Sequence, residues 1–422
     1  MEQTSVLTLV SQGKLRKEVQ LPASKSISGR ALVTYALTRP ASLSREALHA
    51  AVTGLADCDD TNVMIAALAD MPEVIDIRAA GTAMRFLTAY LSVTPGTHTI
   101  TGTERMQHRP IGILVDALRA LGADISYDGK EGFPPLRITG KALAGGTVTM
   151  AADVSSQYVS ALLMIGPMLR DGLTLNLTGH IASRPYIDMT LAIMTHFGAK
   201  ATWTSLSSLY VAPGGYRPEH YSVESDWSAA SYWYEMVALT ADPEPQVTLP
   251  GLFAKSLQGD SAVRDMFRLL GVETTFIAAN GKDGLETVRL TRSGAPCPHL
   301  ELDLTGQPDL AQTLIVTCAM LGTTFRFRGL ASLKIKETNR TAALQAELRK
   351  LGFVIHEDGD SVIYWDGERC QAEANPIICT YEDHRMAMAF APVCMRRDSI
   401  RIAHPEVVSK SYPAFWQDFP CS

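Results

Sequence analysis

Apolar positions recur with helical spacing in several stretches of the chain. Ala83, Phe86, Leu87, Tyr90 and Leu91 form one stripe, and Ile111, Leu114, Val115 and Leu118 form another. Pro110 just ahead of the second stripe suits a first helical turn, where a missing N–H costs little. A third stripe, Leu310, Leu314, Ile315, Cys318 and Leu321, follows Pro308, which makes Cys318 a packing residue. Between the stripes lie runs that read as strands, among them TVTMAA (147–152) and TFRFRG (324–329). Four helical stripes end alike: ALRALGADI around Gly122, IMTHFGAKA around Gly198, MFRLLGVET around Gly271 and ELRKLGFVI around Gly352. Glycine after a helix adopts the left-handed stop at little cost, so each copy reads as helix, stop, strand. The glycines are 76, 73 and 81 residues apart. That period suits a repeated unit of several strands and helices. The pattern predicts an α/β or α+β chain of many short repeated units.

Composition narrows the class. The 422 residues are 46% hydrophobic and 19% charged, enough to build substantial cores in two to four domains. A net charge of −6, from 38 Lys+Arg against 44 Asp+Glu, gives no global reason to bind nucleic acid or an anionic membrane. Seven cysteines, odd in number and scattered, show no CxxC or Cys/His ligand spacing, which predicts reduced thiols and no metal site. The N-terminus enters alternating sequence (Val6, Leu7, Leu9, Val10) without leader features, and no run approaches the ~20 apolar residues of a membrane span. The expectation is a soluble cytoplasmic protein.

Basic residues gather where helices are predicted to begin. LPASKSISGRAL puts Lys25, Ser26, Ser28 and Arg30 at one helix entry. Gly81–Thr82 lead to Arg85, and Arg105 and Arg109 flank His108 ahead of Pro110. Ser155–Ser156–Gln157 and Ser183–Arg184–Pro185–Tyr186 open further helices. Lys334, Lys336, Glu337 and Arg340 surround a start near Thr338; Asp383–His384–Arg385 open another, and Lys410 precedes Tyr412–Pro413. Free N–H groups and partial positive charge at a first turn attract anions, and arginine grips phosphate or carboxylate in bidentate fashion. Each instance alone reads equally well as a cap or a solvated charge. Together they predict a cationic site for a small, multiply anionic substrate in a net acidic protein. Asp309 and Glu337 interrupt that set, as dipole partners or as acid/base groups. There is no GxxxxGK[ST], GxGxxG after a strand, HExxH or GxSxG, which leaves anion binding and proton transfer.

Read together, LPASKSISGR (21–30), AGTAMR (80–85), RMQHRP (105–110), SSQY (155–158), SRPYIDMT (183–190), QPD (307–309), KETNR (336–340), DHRMAMAF (383–390) and SKSYP (409–413) resemble the 5-enolpyruvylshikimate-3-phosphate (EPSP) synthase family along nearly the whole chain. The resemblance implies a two-domain inside-out α/β barrel of six βαβαββ units, three per domain. It places one domain at 24–223 and the other at 1–23 plus 224–422, with the active site in the interdomain cleft. It implies transfer of the enolpyruvyl group of phosphoenolpyruvate to the 5-hydroxyl of shikimate 3-phosphate, with loss of phosphate, no metal or other cofactor, and a monomer whose partners are these small molecules.

Position by position, the resemblance assigns Lys25, Ser26, Arg30, Ser155, Ser156, Gln157, Ser183, Tyr186, Asp309 and Lys336 to shikimate 3-phosphate. It assigns Lys25, Gly81, Arg109, Gln157, Arg340, Arg385 and Lys410 to phosphoenolpyruvate. Asp309 matches the acceptor of the hydroxyl proton, Glu337 is the candidate for proton exchange at the methylene carbon, and Lys25 and His384 complete the catalytic set. Three positions depart from the family pattern: Ala79 replaces an Asn, Phe86 stands where Pro often occurs, and Ser332 replaces an Asn. Two rival readings are the related transferase acting on UDP-N-acetylglucosamine and a non-catalytic anion-binding relative. Lys25–Ser26 in place of Lys-Asn, and no cysteine in 101–112, weigh against the first; Ala79 and Ser332 motivate the second.

Overall fold

The computed structural model describes residues 5–11, 13–152, 155–278 and 286–420. The chain divides into two compact units, Ala23–Val223 and Met1–Pro22 with Glu224–Ser422. One four-strand plan recurs four times. Val74–Asp76 pairs in parallel with Gly96–Thr101, which pairs antiparallel with Leu136–Gly140, itself antiparallel to Asp124–Tyr127. Helix Gly81–Val93 joins the first two strands, and helix Gly112–Ala120 leads to Asp124–Tyr127. The strands from Gly146–Ala151, Arg16–Glu18 and His299–Asp303 onward repeat this order, one parallel pairing followed by two antiparallel ones. Gly122, Gly198, Gly271 and Gly352, at φ 96°, 87°, 84° and 94°, each follow the second helix of one such copy. The glycine period therefore counts the complete copies.

Two further sheets are shorter: Tyr221–Ser222 with Val52–Thr53, and Ile377–Ile378 with Ile400–Ala403 and Val6–Leu9. Each unit so holds three sheets, and among the described residues none closes on itself. The chain passes between units at Pro22/Ala23 and Val223/Glu224, at both places between a copy's first strand and its first helix. Arg16–Glu18 consequently pairs with Gln246–Leu252, although Ala23–Val223 between them belongs to the other unit.

In each unit the first helices of the copies form the interior. Helix Gly81–Val93 is buried at every position but Thr82, and helix Trp227–Leu239 at every position but Ser228. A helix apolar all round must be covered on all sides. Strands such as Leu173–Thr178 instead bury alternate residues, keeping one face toward solvent. Cys318 is fully buried in its helix, as the stripe predicted. Some boundaries differ from expectation. Pro110 lies ahead of the cap residue Ile111, where its carbonyl accepts from Arg85 Nη2 (3.1 Å) and the Tyr158 hydroxyl (2.5 Å). The helix expected near Thr338 begins at Arg340 behind Asn339, whose side chain accepts from the Ala342 N–H. Lys410 ends a short 3₁₀ helix, Pro405–Lys410, and starts none. Among the described residues no helix is long and apolar enough to cross a membrane.

Glu235 is the anomaly of the buried helix Trp227–Leu239. It is fully enclosed, and burial pushes its carboxyl well above the ordinary range, only partly offset by the Thr317 hydroxyl. A raised folded-state pKa contributes stability below the unfolded value of 4.5 that is lost as pH rises through the folded one. Glu235→Gln removes this loss. The expected result is a urea midpoint close to the parent's at pH 4 and above it at pH 8; a constant difference across pH contradicts it.

Candidate active site

Within Ala23–Val223, the predicted residues sit at the ends of the buried helices. Ser24 caps helix Lys25–Leu37 by accepting from the Ile27 N–H, so Lys25 is its first residue. Lys25 Nζ lies 3.2 Å from Asp60, a buried acid in the first turn of helix Asp59–Asp70. Arg30, a turn further in, is 2% exposed. It donates to Thr190 Oγ1 (2.7 Å), the Ser26 carbonyl (2.9 Å) and Ser160 Oγ (3.2 Å), with its guanidinium over the rings of Phe86 and Tyr186. None of these hydrogen-bond partners is a carboxylate, and burial lowers its pKa to about 10. A guanidinium held only by neutral dipoles keeps its charge available to an anion.

Ser155 caps helix Ser156–Ile165, and Gln157 donates from Nε2 to Thr82 Oγ1 (3.1 Å), joining that helix to the start of Gly81–Val93. A Cβ added at Gly81 would lie 2.6 Å from Arg109 Nη1, so the glycine is what lets the guanidinium come close. Arg85 is buried and spent on the Gly81 and Pro110 carbonyls (3.0 and 3.1 Å), a structural use. Ser183 precedes helix Arg184–His196 in the left-handed region (φ 55°) without capping it. Such strain in a residue bearing a Cβ is tolerated where the surroundings over-determine it. Phe86, the departure from Pro, is fully buried against Arg30.

Within the other unit, seven charged groups form one network. Asp309, in the 3₁₀ turn Pro308–Leu310, accepts through Oδ1 from Arg340 Nη1 (2.9 Å) and through Oδ2 from Arg385 Nη2 (3.1 Å), with Lys336 Nζ 3.4 Å from Oδ1. Glu337 accepts from Arg340 Nη2 and Lys410 Nζ, both at 2.9 Å. Asp383 accepts from Arg340 Nε (2.7 Å) and Nη2 (3.3 Å), while its Oδ1 also caps helix His384–Phe390 by accepting from the Arg385 N–H (3.0 Å). His384 is 2% exposed, with Nδ1 3.8 Å from Asp383. Burial alone would push Asp309 up, but Arg385, Lys336 and Arg340 outweigh it and hold the carboxyl well below the usual range. Burial and the Asp309 charge in turn raise neighbouring Asp260 to about 6. These ion pairs join four cations to three carboxylates, with Asp260 a fourth acid beside them.

The predicted residues are thus gathered within each unit, on helix starts in most cases but not at Lys410 or Arg109. Asp60, Ser160, Thr190 and the second use of Asp383 were not foreseen from the sequence. The signal for Asp383 was present, an acid beside the basic His384–Arg385 pair at a helix start, but it reads as a cap; Asp60 has no basic neighbour in sequence to mark it. Among the described residues, His356, Asp366 and Glu368 have metal-like spacing, with ligand atoms within 4.8 Å of one another. They share no residue with the network, and His356 Nε2 is already hydrogen-bonded to Glu368 (2.8 Å).

The chain is similar to known proteins along most of its length. The family model described as EPSP synthase (3-phosphoshikimate 1-carboxyvinyltransferase) matches residues 68–419. A 3-phosphoshikimate 1-carboxyvinyltransferase of Bacteroides fragilis (strain YCH46) is 55% identical over 410 residues, 97% of this chain and 96% of the relative. The enzyme of that name from Shewanella pealeana is 35% identical over 435 residues, 96% of each chain. In fold, EPSP synthase from Acinetobacter baumannii superposes with a TM-score of 0.75 at 21% identity, over 97% of this chain and 96% of that one.

Proposed function

The chain belongs to the EPSP synthase family, and from that premise we propose that it transfers the enolpyruvyl group of phosphoenolpyruvate to the 5-hydroxyl of shikimate 3-phosphate, as a cytoplasmic monomer. The observation that carries this reading is the network around Arg340, where Lys336, Arg385 and Lys410 also converge on two acids, Asp309 and Glu337. Lys25, Ser26, Arg30, Ser155, Ser156, Gln157, Ser183, Tyr186, Asp309 and Lys336 take shikimate 3-phosphate. Lys25, Gly81, Arg109, Gln157, Arg340, Arg385 and Lys410 take phosphoenolpyruvate. Each set draws residues from both units, so turnover requires both units to engage the same pair of substrates. The buried Arg30, met only by neutral groups, suits an anionic substituent.

In the first step the hydroxyl oxygen bonds to C2 of phosphoenolpyruvate while its proton goes to Asp309. Glu337, protonated once substrate anions take over the pairing of Arg340 and Lys410, delivers its proton to the methylene carbon, giving a tetrahedral adduct. In the second step that carbon returns a proton to Glu337, and the C2–O bond to phosphate breaks with its electron pair going to the phosphate. The phosphate takes up the proton held by Asp309 and leaves as hydrogen phosphate, with Lys25 against its charge and His384 as a supporting polar group. Asp309 is a poor base while three cations face it. The phosphate and carboxylate of the substrate neutralise those cations, so binding itself restores its basicity. Deuterium tests the sequence of steps: turnover in D₂O is expected to place deuterium in the product's vinyl methylene, and product free of it there would count against addition followed by elimination.

Gly81→Ala should act through Arg109. The added Cβ forces the flexible guanidinium aside, since it would sit 3.0 Å or less from Cζ, Nη1 and Nη2. KM for phosphoenolpyruvate should rise by about ten-fold or more with little change in Tm, since misplacement of one binding group costs on that order. An unchanged KM would remove Arg109 from the phosphoenolpyruvate set.

A further inference from the structure

Helix Arg340–Lys350 holds the segment ahead of His384 at two points. Arg340 and Glu347 are seven residues apart, two helical turns, and so share one face. At the first point Arg340 grips Asp383 through Nε and Nη2. At the second, Glu347 is fully buried; its Oε1 accepts from the Tyr381 hydroxyl (2.6 Å), and its Oε2 accepts from the Cys379 N–H (3.0 Å) and Lys350 Nζ (2.6 Å). Lys350 extends the hold by donating to the Ile377 carbonyl (2.9 Å).

Between the two points, Tyr381 (φ 53°) and Glu382 (φ 56°) are consecutive left-handed residues carrying side chains. Neither is glycine, so this backbone persists only where its surroundings impose it. It delivers Asp383, whose carboxylate both caps His384–Phe390 and binds Arg340, and thereby aims Arg385 at Asp309.

We infer that Glu347 is a positioning residue for the reaction: with the Tyr381 hydroxyl it holds the strained turn that places Asp383, His384 and Arg385. This rests on the assignment of Arg340 and Arg385 to phosphoenolpyruvate. Glu347 touches no substrate under that assignment and acts through the turn. Release of Tyr381 lets the turn relax toward ordinary backbone, loosening Arg340 and Arg385 together.

The test uses the full-length protein with Tyr381→Phe, Glu347→Gln, their double variant, and Leu348→Ala. The last removes a buried side chain from the same helix without touching either grip. Loss of a hydrogen bond to a charged acceptor should raise KM for phosphoenolpyruvate by about ten-fold in Tyr381→Phe and Glu347→Gln. KM for shikimate 3-phosphate should stay within about two-fold, and the double variant should be no worse than the worse single one. Leu348→Ala should lower Tm and leave both KM values in place. Hydrogen exchange gives a readout independent of turnover: the amides of Asp383 and Arg385 should exchange faster in Tyr381→Phe and not in Leu348→Ala. Equal shifts in both KM values, additive effects, or unchanged exchange would each overturn the inference. An inactive parent protein would instead sink the proposed reaction, with the exchange result still deciding the role of Glu347.

Discussion

Asp309→Asn is expected to lower kcat by about 10²–10⁴-fold, the usual contribution of a positioned acid or base. The substitution keeps the size and hydrogen-bonding shape of the side chain and removes only its charge and basicity. Arg340, Arg385 and Lys336 then lose a shared counterion and remain cationic, so anion binding should not weaken. Affinity for shikimate 3-phosphate, measured by calorimetry, should stay within about three-fold of the parent, less than one hydrogen bond's worth. A variant with near-parental kcat would show that another group takes the hydroxyl proton.

Arg340→Met carries the largest expected loss of stability. The guanidinium is 2% exposed on its side chain and meets Asp309, Glu337 and Asp383. Methionine fills much of the volume but leaves Asp383, fully buried, without its cation. Breaking a buried pair by removing one partner costs about 3–5 kcal/mol. The sign of the pH effect follows from Asp309. Its depressed pKa contributes stability that is present above the unfolded value of 3.8 and lost as pH falls through the folded one. Loss of one of its cations reduces that contribution, so the deficit of the variant should be widest at pH 7 and narrow below about pH 4. Tryptophan fluorescence during urea unfolding reports it well, since Trp227, Trp233, Trp365 and Trp416 belong to the affected unit. A midpoint within error of the parent at pH 7 would contradict this description of the network.

The repeat was legible because a helix stop needs a left-handed residue, and Gly122, Gly198, Gly271 and Gly352 mark it in each complete copy. The regions of the two shorter sheets carry no such glycine; after helix Asp59–Asp70 the left-handed stop falls on Met71 (φ 40°), which no sequence pattern announces. The cationic residues were legible as a class, since basic groups at helix starts share one electrostatic reason to be there. Their partners were not. Arg30 is held by Thr190 and Ser160, 160 and 130 positions away, and no local pattern announces that. Asp383 read as a cap and is one, but the same carboxylate also grips Arg340, a second use that only the fold reveals. Glu347 lies inside ELRKLGFVI, where it reads as an ordinary charged position on a helix, and is in fact fully buried.

The most direct test of the proposed reaction is phosphate release on mixing the folded protein with shikimate 3-phosphate and phosphoenolpyruvate. The account predicts one phosphate per shikimate 3-phosphate consumed, none with either substrate alone, and none when UDP-N-acetylglucosamine replaces the acceptor. No release at saturating levels of both substrates, with both still bound, would contradict it.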